Sequence, residues 1–305
     1  MKQATKTGVT IGISGAGGQL GSAVLNALKA KNGVRWIVGI TRSPQTLPGS
    51  GLGADSDSVG IEWRAGDYDR PETLADAYAG LDRLLLIPSP ELEPGRRAVQ
   101  LNAAIDAAIK AGVGHIALVS STSAHDTAEP SNASTYWSSE QYLMRHAASW
   151  SILRMSYFAE TFAQEALTAA EHGFIAGLAE SRVSFVSRDD LAAAAAGMLA
   201  CETNKGIIYH ITGPTAWTGA QRAEAIARAS GRSVSFQILS AEQLRGALDN
   251  SGVPPVAANA ILDIHRDFAD GRFDLVSGDA EKLSRSPLRG LEEILTEIFS
   301  SAAAK

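Results

Sequence analysis

Short apolar runs alternate with longer amphipathic stretches through the first half of the chain. Runs of mostly Val, Ile and Leu predict strands at Val9–Ser14, Arg35–Ile40, Gly60–Trp63, Arg83–Pro88 and His115–Ser120. None alternates cleanly between apolar and polar, the pattern of strands covered on both faces. Helices are predicted between them, near Gln19–Lys31, Pro71–Ala79 and Gly95–Ala111. In the first, Leu20, Val24, Ala27 and Leu28 fall at helical spacing and form one apolar stripe. In the third the stripe is Leu101, Ala104, Ile105, Ala108 and Ile109, after which Gly112 and Gly114 turn the chain into the next strand. This order of elements predicts a parallel α/β sheet.

After about residue 150 the alternation loosens. A strand Ser151–Arg154 precedes a helix near Phe158–His172, a strand Val183–Val186, an Ala-rich helix Asp189–Cys201 and a strand Ile207–Ile211. A further helix, one strand at Val234–Ile238 and three more helices complete the chain. The five consecutive alanines after Leu191 predict a helix packed tightly on its neighbours, and Asp189-Asp190 are read as its cap. The Gly/Ser/Pro-rich stretch Ser43–Ser58 reads as a surface loop. Two parts are expected: residues 8–155, with later strands returning to them, and a mainly substrate-binding lobe over 156–305.

Composition narrows the field. With 45% apolar and 20% charged residues among 305, the chain has a globular composition. A net charge of −6, with no basic cluster longer than Arg96-Arg97, argues against nucleic acid as a partner. Cys201 is the only cysteine, so internal disulfides and cysteine-based zinc sites are excluded. None of the six histidines has a partner at a metal-like spacing, and no metal is expected. No apolar run reaches the roughly 20 residues that span a bilayer, and Met1–Gly8 lacks the apolar core of a signal peptide. The expectation is a cytoplasmic protein acting on a small molecule, with room for a homodimer.

The strongest chemical signal is Ser14-Gly15-Ala16-Gly17-Gly18-Gln19-Leu20-Gly21, which follows a predicted strand and opens a predicted helix. Gly15, Gly18 and Gly21 lie three apart: the first permits a tight turn, the second a close approach to a pyrophosphate, the third close helix–strand packing. The helix N-terminus adds partial positive charge for phosphate. Together they predict a Rossmann-type, doubly wound sheet with a smaller α/β lobe. An NAD site would carry Asp or Glu at the end of the second strand; this chain has Ile40-Thr41-Arg42-Ser43. Arg42 suits a 2′-phosphate, so NADPH is the expected cofactor.

With those residues, Gly66-Asp67-Tyr68 and the stretch Ala107–Ile116, the chain resembles an atypical short-chain dehydrogenase/reductase. More narrowly, it resembles the NmrA-like group that includes the NADPH:quinone oxidoreductase and triphenylmethane reductase families. The similarity runs from about Val9 to Ile298 and includes Ser277-Gly278-Asp279 and Leu283–Leu288. The resemblance implies that Asp67 contacts the adenine and that Leu86, Ile87 and Ser89 line the cofactor.

Typical short-chain dehydrogenases pair a Ser and a Tyr with a Lys four residues after the Tyr, whose charge helps the Tyr move a proton. Here Tyr136 follows a Ser/Thr cluster, with Ser123 thirteen residues before it, but the residue four after it is Glu140. Alcohol oxidation through an activated tyrosine is therefore disfavoured. The departure matches the quinone reductase families, where the Lys position resembles Glu and the cofactor does the chemistry. Tyr136 and Ser123 remain the candidate catalytic pair, with Tyr136 as the donor to a developing oxyanion. Leu153–Glu160 resembles the segment that closes over the nicotinamide, which makes Tyr157 and Phe158 candidates for stacking on a flat acceptor. Relatives often carry Asn-Gly where this chain has Met155-Ser156.

The leading reading is an NADPH-dependent oxidoreductase that passes hydride to a quinone or similar flat conjugated acceptor without a Tyr–Lys pair. Two alternatives fit the same residues. One is a non-catalytic NADP(H) redox sensor; the other is a tailoring enzyme for oxygenation or cyclisation of an aromatic or polyketide-like substrate.

Overall fold

The computed structural model describes residues 8–44, 60–93, 95–128, 130–201 and 205–303. The predicted loop Ser43–Ser58 lies, from residue 45 on, outside the described residues. The first strand β1 (Val9–Ser14) leads into α1 (Gln19–Lys29), β2 (Val34–Thr41) and β3 (Ile61–Ala65). There follow α2 (Leu74–Ala77), β4 (Arg83–Leu86), α3 (Arg96–Lys110), β5 (His115–Ser121), α4 (Asn132–His146) and β6 (Trp150–Met155). These strands, with β10 (Ile207–Ile211), form a seven-stranded sheet in the order β10-β6-β5-β4-β1-β2-β3. Every pairing in it is parallel.

The missing alternation in the strand sequences has its cause in the two faces of this sheet. Ile13, Ile37, Leu85, Ala117, Val119 and Leu153 enter one core, shared with α1. Their chain neighbours Val38, Leu84, Leu86, Ile116, Leu118 and Ile152 enter the other, under α2 and α3. Side chains still alternate with period two, but both sides are apolar. His115 opens β5 between the hydroxyls of Ser149 and Ser151, at 2.8 and 2.9 Å, and burial pushes its pKa down to about 4.

The rest of the chain builds the smaller lobe and then threads back. Two residues, β7 (Tyr157–Phe158), lead into α5 (Ala159–His172), β8 (Phe174–Gly177) and β9 (Val183–Val186). Next come α6 (Arg188–Ala200), β10, β11 (Ala216–Trp217), α7 (Gly219–Ser230) and β12 (Ser235–Ile238). The chain closes with α8 (Ala241–Asn250), α9 (Pro255–Ala269), α10 (Asp279–Ser284) and α11 (Leu291–Ala303). In the lobe β9 joins β11 and β7, and β12 pairs with β8. A core of Phe162, Phe185, Ile226, Phe268, Phe273 and Leu295 holds it together. The Ala-rich α6 returns to the large sheet, packing between α1 and α10, and β10 pairs with β6.

Several local expectations are corrected. The stretch Pro71–Ala79 is a 3-10 turn at Pro71–Thr73 followed by the single turn of α2. On α3, Ile109 points out at 40% exposure, while Arg97 and Gln100 are buried in line with Leu101, Ala104 and Ala108. The cap of α6 is Ser187, whose side chain accepts from the Asp190 backbone N–H; the Asp190 carboxylate instead accepts from the Arg289 backbone, at 3.0 Å. The two-residue strands β7 and β11 carry too little pattern to be predicted, and β8 (Phe174–Gly177) ends in Ala and Gly rather than a β-branched run.

Candidate functional site

Strand order reverses at β1, whose neighbours β2 and β4 continue in opposite directions across the sheet. In such folds ligands bind in the crevice beyond the carboxyl ends of the strands at that point. Here the crevice is a cavity of about 930 Å³. The glycine-rich turn is built into its wall. Gly15 has φ +89°, and the Gly15 and Ala16 backbone N–H groups donate to the Ile40 carbonyl at 3.1 and 3.0 Å, tying the turn to the end of β2. A Cβ on Gly21 would lie 2.3 Å from the Gly15 oxygen, so only glycine lets the first turn of α1 sit this close.

Gly18 caps α1 without a side-chain acceptor, and the first turn holds no acidic residue. Of the other helices α4, α6, α7 and α8 are each capped by a Ser or Thr side chain, while α3, α5, α9 and α10 are not. The opening N–H groups of α1 thus have no side-chain partner where the cavity begins, an arrangement that fits a pyrophosphate.

Of the residues expected to hold the cofactor, Gly15, Gly17, Gly18, Gln19, Leu20 and Gly21 line this cavity. So do Arg42, Asp67, Ile87 and Ser89. Leu86 does not: it is fully buried in the core of the sheet, one residue before Ile87 reaches the cleft. The Asp67 carboxylate turns onto its own loop, accepting from the Asp69 backbone at 3.0 Å and the Arg70 Nε at 3.3 Å. Asp69 accepts from Gln100 and Arg96, which hold its carboxyl below the usual range, with a smaller contribution from Arg42. The Tyr68 hydroxyl donates to the Ile87 carbonyl at 3.0 Å, and burial pushes its pKa up.

Tyr136 and Phe158 line the same cavity. Ser123 and Tyr157 line neither it nor the neighbouring one described below. Ser123, 3% exposed, bonds to the Ser121 hydroxyl at 3.0 Å and lies near the Asp267 carboxyl group. Tyr157 faces the lobe core: its hydroxyl donates to Glu165 at 2.6 Å and its ring stands edge-on to Phe268 at 5.3 Å. Phe158 lies under the Arg188 guanidinium, 4.9 Å from its ring centre, and Arg188 also lines the cavity.

Glu140, four residues after Tyr136, is fully buried and committed elsewhere. It receives a two-pronged bond from Arg154 of β6, at 2.9 and 2.5 Å, and a third from Ser120. The cation beside Tyr136 comes instead from α3. Arg97 Nη1 lies 3.5 Å from the Tyr136 hydroxyl, and its guanidinium carbon 5.6 Å from the ring centre. Sequence reasoning missed Arg97. Its signal was a position in register with the apolar stripe of α3, where a charged residue has no reason to be unless buried for a purpose.

A second cavity, about 780 Å³, adjoins the first; Glu91 and Arg97 line both. Among the described residues no helix is long and apolar enough to cross a membrane, and no group of His, Cys, Asp and Glu could hold a metal ion.

A parallel sheet with a glycine-rich turn at its switch point and an uncapped helix behind it defines a dinucleotide-binding protein of the Rossmann class. The chain belongs to the NAD(P)H-binding family, whose model matches residues 15–202. It is 33% identical over 291 residues to quinone oxidoreductase 2 of Escherichia coli strain K12, covering 95% of this chain and 99% of that one. The triphenylmethane reductase of Citrobacter sp., solved with NADP(H), superimposes with a TM-score of 0.83 at 30% identity, covering 95% and 99% of the two chains. An NADPH-dependent quinone oxidoreductase from Escherichia coli, solved with NADPH, gives 0.83 at 32% identity and the same coverage. The protein is thus an NAD(P)H-dependent oxidoreductase of this group.

Proposed function

We propose that the protein is a cytoplasmic NADPH-dependent reductase of quinones or similar flat conjugated acceptors, working without a Tyr–Lys pair. The observation that carries this reading is the junction of two cavities. The cleft that holds the glycine turn, Arg42 and Tyr136 meets a second cavity at Arg97, leaving room for a cofactor and an acceptor side by side.

Bound NADPH supplies a hydride, so that NADPH, a quinone and one proton give NADP⁺ and the hydroquinone. The N–H groups at the start of α1 take the pyrophosphate, and Gly15 keeps the turn out of its way. Arg42, exposed at the end of β2, takes the 2′-phosphate. Phe158 offers a flat apolar face held in place by Arg188. The Tyr136 hydroxyl gives its hydrogen bond, and then its proton, to the acceptor oxygen as charge builds there; solvent replaces the proton. Names of the relatives support the acceptor class: a quinone oxidoreductase and a triphenylmethane reductase both share the whole fold.

The test is a fluorescence titration of the purified protein with NADPH and with NADH, followed by NADPH oxidation over a panel of quinones. Tighter NADPH binding with quinone-dependent oxidation is the expected result. Binding without turnover on any acceptor overturns the reductase reading and favours the sensor or the tailoring enzyme.

A further inference from the structure

Three arginines line the second cavity, and two of them are already paired. Arg245 donates to Asp249 at 2.8 Å and to the Asn259 side-chain oxygen at 2.7 Å; Arg266 pairs with Asp263 at 3.0 Å. Arg97 differs. It is only 7% exposed, yet among the described residues no carboxylate pairs with it. Its Nη1 donates to the Asn132 side-chain oxygen at 3.2 Å and towards Tyr136, and its Nη2 donates to the Glu91 carbonyl at 2.5 Å. All three acceptors are neutral oxygens. The Nε is buried and has no partner among the described residues. The nearby Glu91 carboxylate is taken by Arg96, at 3.2 Å. A buried cation without a counter-charge is costly, and the cost falls when a ligand supplies one.

Building on the reductase reading, we propose that this second cavity is the acceptor site. Arg97 is its specificity residue, selecting acceptors that carry or develop negative charge on oxygen. Quinones bearing an ionised hydroxyl or carboxylate group are favoured most, neutral quinones less, and cationic conjugated dyes least. A guanidinium reads oxygen anions through directed N–H donors and repels a delocalised cation of the same size and flatness. Because Arg97 also touches Tyr136, the oxygen it binds lies within reach of the proposed proton donor.

The experiment measures binding to the NADP⁺-loaded protein by calorimetry, with three flat probes: lawsone, a hydroxynaphthoquinone that is an anion near neutral pH; unsubstituted naphthoquinone; and crystal violet, a cationic dye. Wild-type protein is expected to bind lawsone about tenfold tighter than naphthoquinone, and crystal violet most weakly. Arg97→Gln should erase the preference and Arg97→Lys keep most of it. Equal affinity of wild-type protein for lawsone and naphthoquinone overturns the proposal and needs no variant, so it stands even if Arg97→Gln fails to fold. So does a loss in Arg97→Gln that is equal for all three probes, the mark of a merely structural arginine. Anion preference in binding with no NADPH oxidation would instead sink the reductase reading and leave the site standing.

Discussion

Glu140 and Arg154 face each other as a two-pronged ion pair between α4 and β6, and the carboxylate has no exposure to solvent at all. The position that would hold a lysine in a Tyr–Lys enzyme is thus a structural strut. Restoring the lysine would not restore the chemistry. Glu140→Lys sets two cations against each other inside the protein and strands Ser120. Removing one partner of a buried pair costs about 3–5 kcal/mol, and urea unfolding should show at least that loss. A stable Glu140→Lys protein with new alcohol dehydrogenase activity would contradict this account.

Arg42→Ala should weaken NADPH and leave NADH nearly unchanged. A charge-assisted contact to phosphate contributes about 1.5–3 kcal/mol, which corresponds to a Kd ten to a hundred times higher for NADPH alone. Parallel fluorescence titrations decide it.

Gly21→Ala tests the turn itself. The new Cβ would lie 2.3 Å from the Gly15 oxygen and 2.7 Å from the Ala16 Cα, so backbone must move. Overpacking of this kind costs about 1–3 kcal/mol, and the displaced turn should lose affinity for NADPH and NADH alike. Thermal unfolding and cofactor titration on the same sample separate this shared loss from the selective one at Arg42.

Tyr136→Phe should lower kcat for quinone reduction about tenfold while the NADPH Kd stays put. That is less than the roughly 10²–10⁴ of an obligatory general acid, because water can also supply the proton. Single-turnover rates at saturating NADPH give the number; an unchanged rate would remove Tyr136 from the chemistry.

His265 packs edge-on against Phe268 on α9, with its Nδ1 buried and without a partner among the described residues. Burial, helped by the nearby Arg222, pushes its pKa from 6.5 down to about 4. The fold therefore favours the neutral ring, while the unfolded chain protonates near pH 6.5. The stability that this ring contributes is complete above that pH and is lost as pH drops from about 6.5 to 4, by about 3 kcal/mol at most. In His265→Gln, urea unfolding across this range should lose the share of the slope that His265 carries, while the share of His115, pushed down to about 4 in the same way, stays.

The part of the site built from neighbouring residues was legible in the sequence. Strand, glycine turn and helix are contiguous, and Gly18 and Gly21 meet backbone atoms only a few residues away, while Gly15 meets Ile87 just past the end of the adjacent strand. Adjacent pairs were not resolvable. Tyr157 and Phe158 sit on one short strand and point to opposite sides, so one fills the lobe core and the other the cleft. Leu86 and Ile87 divide in the same way between core and cavity. Partners distant in sequence were hidden too. Ser123 lies near Asp267 of α9, Glu140 pairs with β6, and Arg97 reaches Tyr136 across 39 residues. No local pattern encodes such meetings: the packing of α3, α4 and β6 in the large half creates two of them, and the closing of the lobe onto the sheet creates the third.

The repeated passage of the chain between sheet and lobe has a further consequence. Phe158 follows the first crossing and Arg188 the second, and both line the cofactor cleft. A ligand gripping that cleft therefore staples two separate stretches of backbone that join the halves of the molecule. Loosening the lobe by mutation far from the cleft should be felt as weaker cofactor retention, and filling the cleft should make the halves melt together.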